Sequence, residues 1–149
     1  MRYLLIIVAI LGAVFAGCSS KTPPADTVDE AISRFEEGQY NKSRAIVDTL
    51  VNDSARFNEL SVNSLCRLAQ LCLRLDSADA EKAAHVADEG DAVAARCLGR
   101  AHTLDADSVD AFINALPREE ATRLAVLNRV STYLTIPRDS LVVESDTIQ

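Results

Sequence analysis

"SVNSLCRLAQLCLRL", residues 61–75, decides the fold. On a helical wheel, Val62, Leu65, Cys66, Leu68, Ala69, Leu71, Cys72, Leu73 and Leu75 cover about 220° of the circumference. Asn63, Arg67, Gln70 and Arg74 share the narrow arc that remains. A surface helix needs an apolar stripe of only about 100°. This segment, extended back to residue 55, is therefore expected to be a central helix packed on two sides. Its four polar residues form the one strip left open, and they are the candidate contacts for a partner.

The flanking sequence keeps the helical period from residue 27 to residue 134. Thr27 is placed to cap a first helix, with Glu30 as its capping-box partner. That helix carries Ala31, Ile32 and Phe35 up to Gly38, and a second runs from Tyr40 or Asn41 to about Val51. After the central helix a reversal is expected near Asp76 and Ser77. A fourth helix would then cover residues 78–104 as one long piece, bent at Gly90, with a break there as the alternative. Its small residues Ala80, Ala83, Ala87, Gly90, Ala94, Cys97 and Ala101 recur at steps of three and four, a seam that lets helix axes approach closely. Ser108 is placed to cap a fifth helix over 109–116. Pro117 suits the first position of a sixth, because that position needs no backbone donor. Ala121, Leu124, Leu127, Val130 and Leu134 form the apolar stripe of that last helix. The reading is all-α: about six helices in antiparallel hairpins, as a right-handed stack or a small bundle.

Composition agrees. The chain has 149 residues, with no Trp, five Gly and four Pro, a profile poor in the residues that β architectures use at turns and strands. One domain is the expectation at this length. The net charge is −7, and the basic residues are dispersed, which argues against nucleic acid as a partner.

The N-terminus has a different character. Residues 1–17, "MRYLLIIVAILGAVFAG", place a basic start before an apolar run at 4–16. Those thirteen residues span about 20 Å as a helix, short of the about 30 Å of a bilayer core. Such a run suits a signal peptide rather than a permanent span. Ala16, Gly17 and Cys18 follow it, then "SSKTPPAD" over 19–26. The pattern of apolar core, small residues and cysteine resembles a bacterial lipoprotein signal, with Phe15 where that family usually has Leu. The resemblance implies cleavage before Cys18 and acylation of its thiol, with several acyl chains holding the protein to a membrane. It divides the chain into a signal peptide (1–17), a tether (18–26), a helical domain (27–134) and a loose tail (135–149). Ser19 is not the Asp that in some Gram-negative bacteria retains lipoproteins at the inner membrane. The expected address is the cell envelope of a Gram-negative bacterium, on the outer membrane facing the periplasm. Leu141, Val142 and Val143 in the tail are able to pack or to bind.

Residues 31–50, "AISRFEEGQYNKSRAIVDTL", resemble the junction of a tetratricopeptide repeat. An aromatic closes one helix, Gly makes the turn, and G-x-Y opens the next; Phe35, Gly38, Tyr40 and Leu50 fit, and Ser43 stands where the family has Ala. No clean 34-residue period follows. The resemblance implies stacked hairpins that present a face to a peptide or protein. The function expected is a non-catalytic, membrane-anchored adaptor or scaffold. The alternative is a lipoprotein that binds a small ligand, or serves in envelope stress, with a pocket between the third, fourth and sixth helices.

No catalytic motif stands against that reading: the chain has no G-x-S-x-G, no H-E-x-x-H and no phosphate-binding Gly loop. No cofactor and no metal are expected. His85 lies between Glu81 and Glu89 at helical spacing, where ion pairing accounts for it. Cys66 and Cys72 are about 9 Å apart along one helix, beyond disulfide reach. With a reversal at Asp76 and Ser77, Cys97 would sit near residue 56, so three separate buried thiols and no disulfide are expected.

The lipid anchor has a direct readout. Labelled palmitate should enter the mature chain, and Cys18→Ala should abolish the label and leave the leader uncleaved. A wild-type product that keeps Met1 and takes up no label would contradict it.

Overall fold

The computed structural model describes residues 22–80 and 89–135. Cys18, the leader, His85 and the 136–149 tail lie outside the described residues. What is described is all-α, with seven helices and no strand: α1 (Pro24–Glu36), α2 (Tyr40–Asn52), α3 (Ser54–Asn58), α4 (Val62–Ala80), α5 (Glu89–Leu104), α6 (Ala106–Asn114) and α7 (Arg118–Thr135). None of them is long and apolar enough to cross a membrane.

The first hairpin follows its sequence closely. Gly38 takes φ 74°, the left-handed conformation that glycine adopts without a Cβ penalty. The amide of Gly38 donates to Phe35 O and that of Gln39 to Arg34 O, so two orphan carbonyls at the end of α1 are satisfied. Phe35 and Tyr40 then meet across the turn at 5.2 Å between ring centroids. Ser43 is fully buried and donates its hydroxyl to Ala31 O at 2.7 Å. That bond lets a polar residue hold a small-residue position without a buried orphan.

The helix starts differ from the expected ones. α1 begins at Pro24, not Thr27, so the extended tether ends earlier. Proline at the first helical position loses no hydrogen bond there. Thr27 instead sits in the first turn and takes a 2.6 Å hydrogen bond from Arg56. The segment expected as one helix over 55–75 is two. Asp53 caps α3 by accepting from the Arg56 amide, and Ser61 accepts from the Ser64 amide at the start of α4. Two competent caps eight residues apart (positions 53 and 61) end one helix and begin another. α6 is capped by Asp105, which accepts from both the amide and the hydroxyl of Ser108, so Ser108 lies within the helix rather than at its cap.

The largest correction is at the end of the central helix. Asp76 and Ser77 are helical, α4 runs on to Ala80, and Gly90 lies inside α5. Neither a reversal at Asp76 nor a break at Gly90 is present. The polar pair finds partners in place: Asp76 Oδ1 accepts from Arg44 of α2 at 3.1 Å, while its Oδ2 is buried without a hydrogen bond among the described residues, and Ser77 donates to Leu73 O. Side-chain and tertiary partners thus replace the turn that the sequence suggests.

α4 is the middle of the molecule. Leu65, Cys66, Leu68, Ala69, Leu71, Cys72, Leu73 and Leu75 are all buried, as the wide apolar arc requires. One side packs on both helices of the first hairpin, the other on α5 and α6. α5 returns antiparallel to α4, with Gly90 against Asp76 and Cys97 within electrostatic reach of Cys66 and Cys72. α7 then lies beside α5 in the same direction: Arg123 pairs with Asp91, and Gly99 faces Ser131. The chain is thus a run of three hairpins, α1–α2, α4–α5 and α6–α7, with α3 as an insert. The first helix of each later hairpin contacts both helices of the hairpin before it. On α7 the inward face is Leu124, Asn128 and Ser131, whereas Val130 is 46% exposed and leaves the expected stripe.

Gly90 is the most closely packed of the described glycines: a Cβ there would overlap the Asp76 carboxylate. Gly90→Ala is expected to lower stability by about 1–2 kcal/mol. The overpacking cost exceeds the roughly 0.5–1 kcal/mol of gained helix preference. In an Asp76→Ala background the same change should become neutral or stabilising. Urea unfolding of the four proteins measures the cycle.

Candidate interaction surface

Two solvent-open clefts carry the chemistry of the surface. The first, about 290 Å³, lies between α1, α4 and the start of α7, and is lined by Phe35, Leu73, Arg74, Ser77, Glu119, Glu120 and Arg123. It exists because α4 keeps only one narrow arc free, and α1 and α7 rise on either side of that arc.

Of the four residues expected to contact a partner, Arg74 lines this cleft and Gln70 bonds to its Glu120, whereas Arg67 and Asn63 lie further back along α4; three of the four already have partners within the chain. Arg67 Nη1 lies 2.7 Å from Asp29 Oδ1 of α1. Arg74 makes a two-pronged contact with Glu120 of α7, Nε to Oε1 at 3.0 Å and Nη2 to Oε2 at 3.2 Å. Gln70 donates to the same carboxylate. Asn63 is exposed at the start of the strip. The polar arc therefore ties α4 to the helices on both sides while it faces solvent.

Glu120 was legible in the sequence only as a negative charge suited to a helix N-terminus; its role as the shared acceptor of Gln70 and Arg74 needed the fold. Burial alone would raise its carboxyl, but the bonds from Arg74 and Gln70 outweigh that and hold it below the ordinary glutamate value. Next along α7, Arg123 reaches Asp91 at 2.9 Å and Ser77 Oγ at 3.3 Å. The cleft rim is thus a row of neutralised pairs. Exposed pairs of this kind contribute about 0–1 kcal/mol each, so a partner's own charges can replace them at little cost.

The second cleft is a trough of about 480 Å³ between α5 and α7, lined by Asp91, Ala92, Ala95, Arg96, Gly99, Arg100, Leu127, Val130 and Ser131. Small residues on α5 leave its floor low, and Val130 leaves its rim apolar. Arg96 stacks on Phe57 with its guanidinium carbon 4.6 Å from the ring centroid. No carboxylate pairs with Arg96 or Arg100 among the described residues, and Arg100 Nε is buried without a partner. Sequence reading missed both arginines because they are isolated in a row of alanines.

The three described thiols offer no reactive site. Cys66, Cys72 and Cys97 are free and buried. Burial pushes Cys66 up to about 11 and Cys72 up to about 12, and Cys97 is also raised well above its usual value by burial. All three stay protonated at neutral pH and act as small apolar residues. The longer α4 moves Cys97 from its expected place near residue 56 to a level with Cys66 and Cys72. Among the described residues no group of three His, Cys, Asp or Glu side chains is placed to hold a metal.

No family model matches the chain, and neither a curated protein nor a solved structure matches it. The lipoprotein and repeat resemblances rest on the residues themselves.

Glu120 gives the cleft a pH signature. Its folded-state pKa is depressed, so its contribution is complete above the ordinary glutamate range and is lost as pH falls through the depressed value. Glu120→Gln should cost about 0.5–1 kcal/mol at neutral pH. The gap from wild type should close as the solution is acidified. Urea titrations across the carboxylate range measure this; a gap that widens in acid would contradict it.

Proposed function

We propose that this chain is a lipid-anchored, non-catalytic interaction module of the bacterial envelope, held to the membrane at Cys18 and presenting the cleft between α1, α4 and α7 to a protein partner. The observation that supports this most directly is the form of that cleft. It is open, and the central helix lines it with Leu73, Arg74 and Ser77, so its shape is fixed by the core. Its charges are paired but exposed, which suits exchange with a partner's charges. Tethering would act by raising the local concentration of whatever binds. The resemblance to lipoprotein signals supplies the address, the outer membrane facing the periplasm. The stacked hairpins are in keeping with the tetratricopeptide-repeat reading of residues 31–50.

The alternative, a small-ligand lipoprotein, draws on the trough between α5 and α7, which lies between two of the helices expected to line such a pocket. It is open along its length, and its two guanidiniums, without a carboxylate among the described residues, suit an anionic segment better than an enclosed apolar ligand.

A photo-crosslinking side chain at Asn63 tests the adaptor reading. In envelopes it should capture one defined protein. The adduct should weaken several-fold with Arg67→Glu and Arg74→Glu together, and disappear with Cys18→Ala. A wild-type chain that is folded and acylated yet yields no protein adduct at Asn63 would refute it.

A further inference from the structure

The trough between α5 and α7 is separate from the proposed partner cleft and is open on the last hairpin of the described stack. A stack of helical hairpins leaves its final outer face without a neighbour, and solubility requires that face to be polar or covered. Here it is neither, among the described residues. Val126 is 56% exposed and Val130 46% exposed, and the trough beside them is floored by Ala92, Ala95 and Gly99.

The charge of the trough says what would fit. Arg96 and Arg100 face it without a carboxylate among the described residues, whereas Asp91 at its far end is already matched by Arg123. A fitting occupant is therefore aliphatic with acidic groups beside it. Residues 136–149, "IPRDSLVVESDTIQ", have that character: Leu141, Val142 and Val143 together, with Asp139, Glu144 and Asp146 against a single Arg138.

Reach agrees. α7 ends at Thr135, and because α5 and α7 run in the same direction, that end lies at the Arg100 end of the trough. Leu141 is six residues further on, within about 20 Å of extended chain. The trough spans nine residue steps of α5, from Asp91 to Arg100, or about 14 Å. Residue 137 is a proline, which cannot extend a helix through its own position without losing a bond.

We propose that residues 141–144 of this chain fold back into the α5–α7 trough, with the three aliphatic side chains covering Leu127 and Val130 and Glu144 pairing with Arg96 and Arg100. The segment would serve as the missing cap of the stack.

A photo-crosslinker in place of Val142 in the full chain tests this. The expected adduct is intramolecular, on peptides from residues 92–100 or 127–131, with a yield unchanged over a tenfold range of protein concentration. Val130→Glu should cut that yield at least fivefold. Val130 is half-exposed, so the variant retains its fold, checked by circular dichroism. Glu144→Lys, outside the described helices, should cut the yield as well. Adducts only with a second copy, only with lipid or detergent, elsewhere on the chain, or none would overturn the proposal. A yield indifferent to both variants would do the same.

Discussion

The close approach of α4 and α5 along a seam of small side chains is the constraint on which the rest of the molecule depends. Ala94, Cys97 and Ala101 are fully buried on α5, and Cys66, Ala69 and Cys72 are buried on α4. Near one end of the seam Gly90 leaves no room for even one more carbon against Asp76. Helices that meet this closely exclude water from the contact and gain dispersion along its length. That exclusion keeps the three thiols protonated and buried. It also fixes the relation of the first hairpin to the last, because α4 carries the former and α5 the latter.

Asp76 sits at the junction. It belongs to α4, accepts from Arg44 of α2, and packs against Gly90 of α5. Burial raises its carboxyl, while the bond and charge of Arg44 act the other way. A buried pair of this kind adds little net stability, but loss of one partner is costly. Its use here is to register three helices from two hairpins. The polar strip on the opposite arc of α4 does the same at the surface, with Arg67 reaching α1 and Arg74 reaching α7. The proposed partner cleft is therefore a by-product of how the core is locked: the residues that shape it are the ones that join neighbouring helices.

Much of the fold was legible because it depends on period. The wide apolar arc of residues 62–75 gave α4 its central place, and Phe35, Gly38 and Tyr40 gave the first turn, since left-handed glycine and an aromatic pair act locally. What the sequence could not show is where polar residues find distant partners. Asp76 and Ser77 read as a turn because nothing nearby satisfies the aspartate; Arg44, 32 residues away, does. Thr27 and Ser108 read as caps, but the first helix starts at Pro24 with no side-chain cap, and Asp105 takes the cap role for Ser108. For the candidate site, the polar strip was visible, but Glu120 as its shared acceptor was not. The α5–α7 trough was legible only as an expected pocket among the third, fourth and sixth helices; its open form arises from two helices running in the same direction, a relation that no local pattern encodes.

Amide hydrogen exchange tests the central claim, that the α4–α5 seam holds the hairpins together. The slowest amides should lie at residues 65–75 and 94–101, opening with one shared free energy equal to that of global unfolding. The amides of α1, α2 and α7 should exchange at or below that value. If α4 opens while the first hairpin stays protected, or if α7 outlasts α5, the seam is not what holds this structure together.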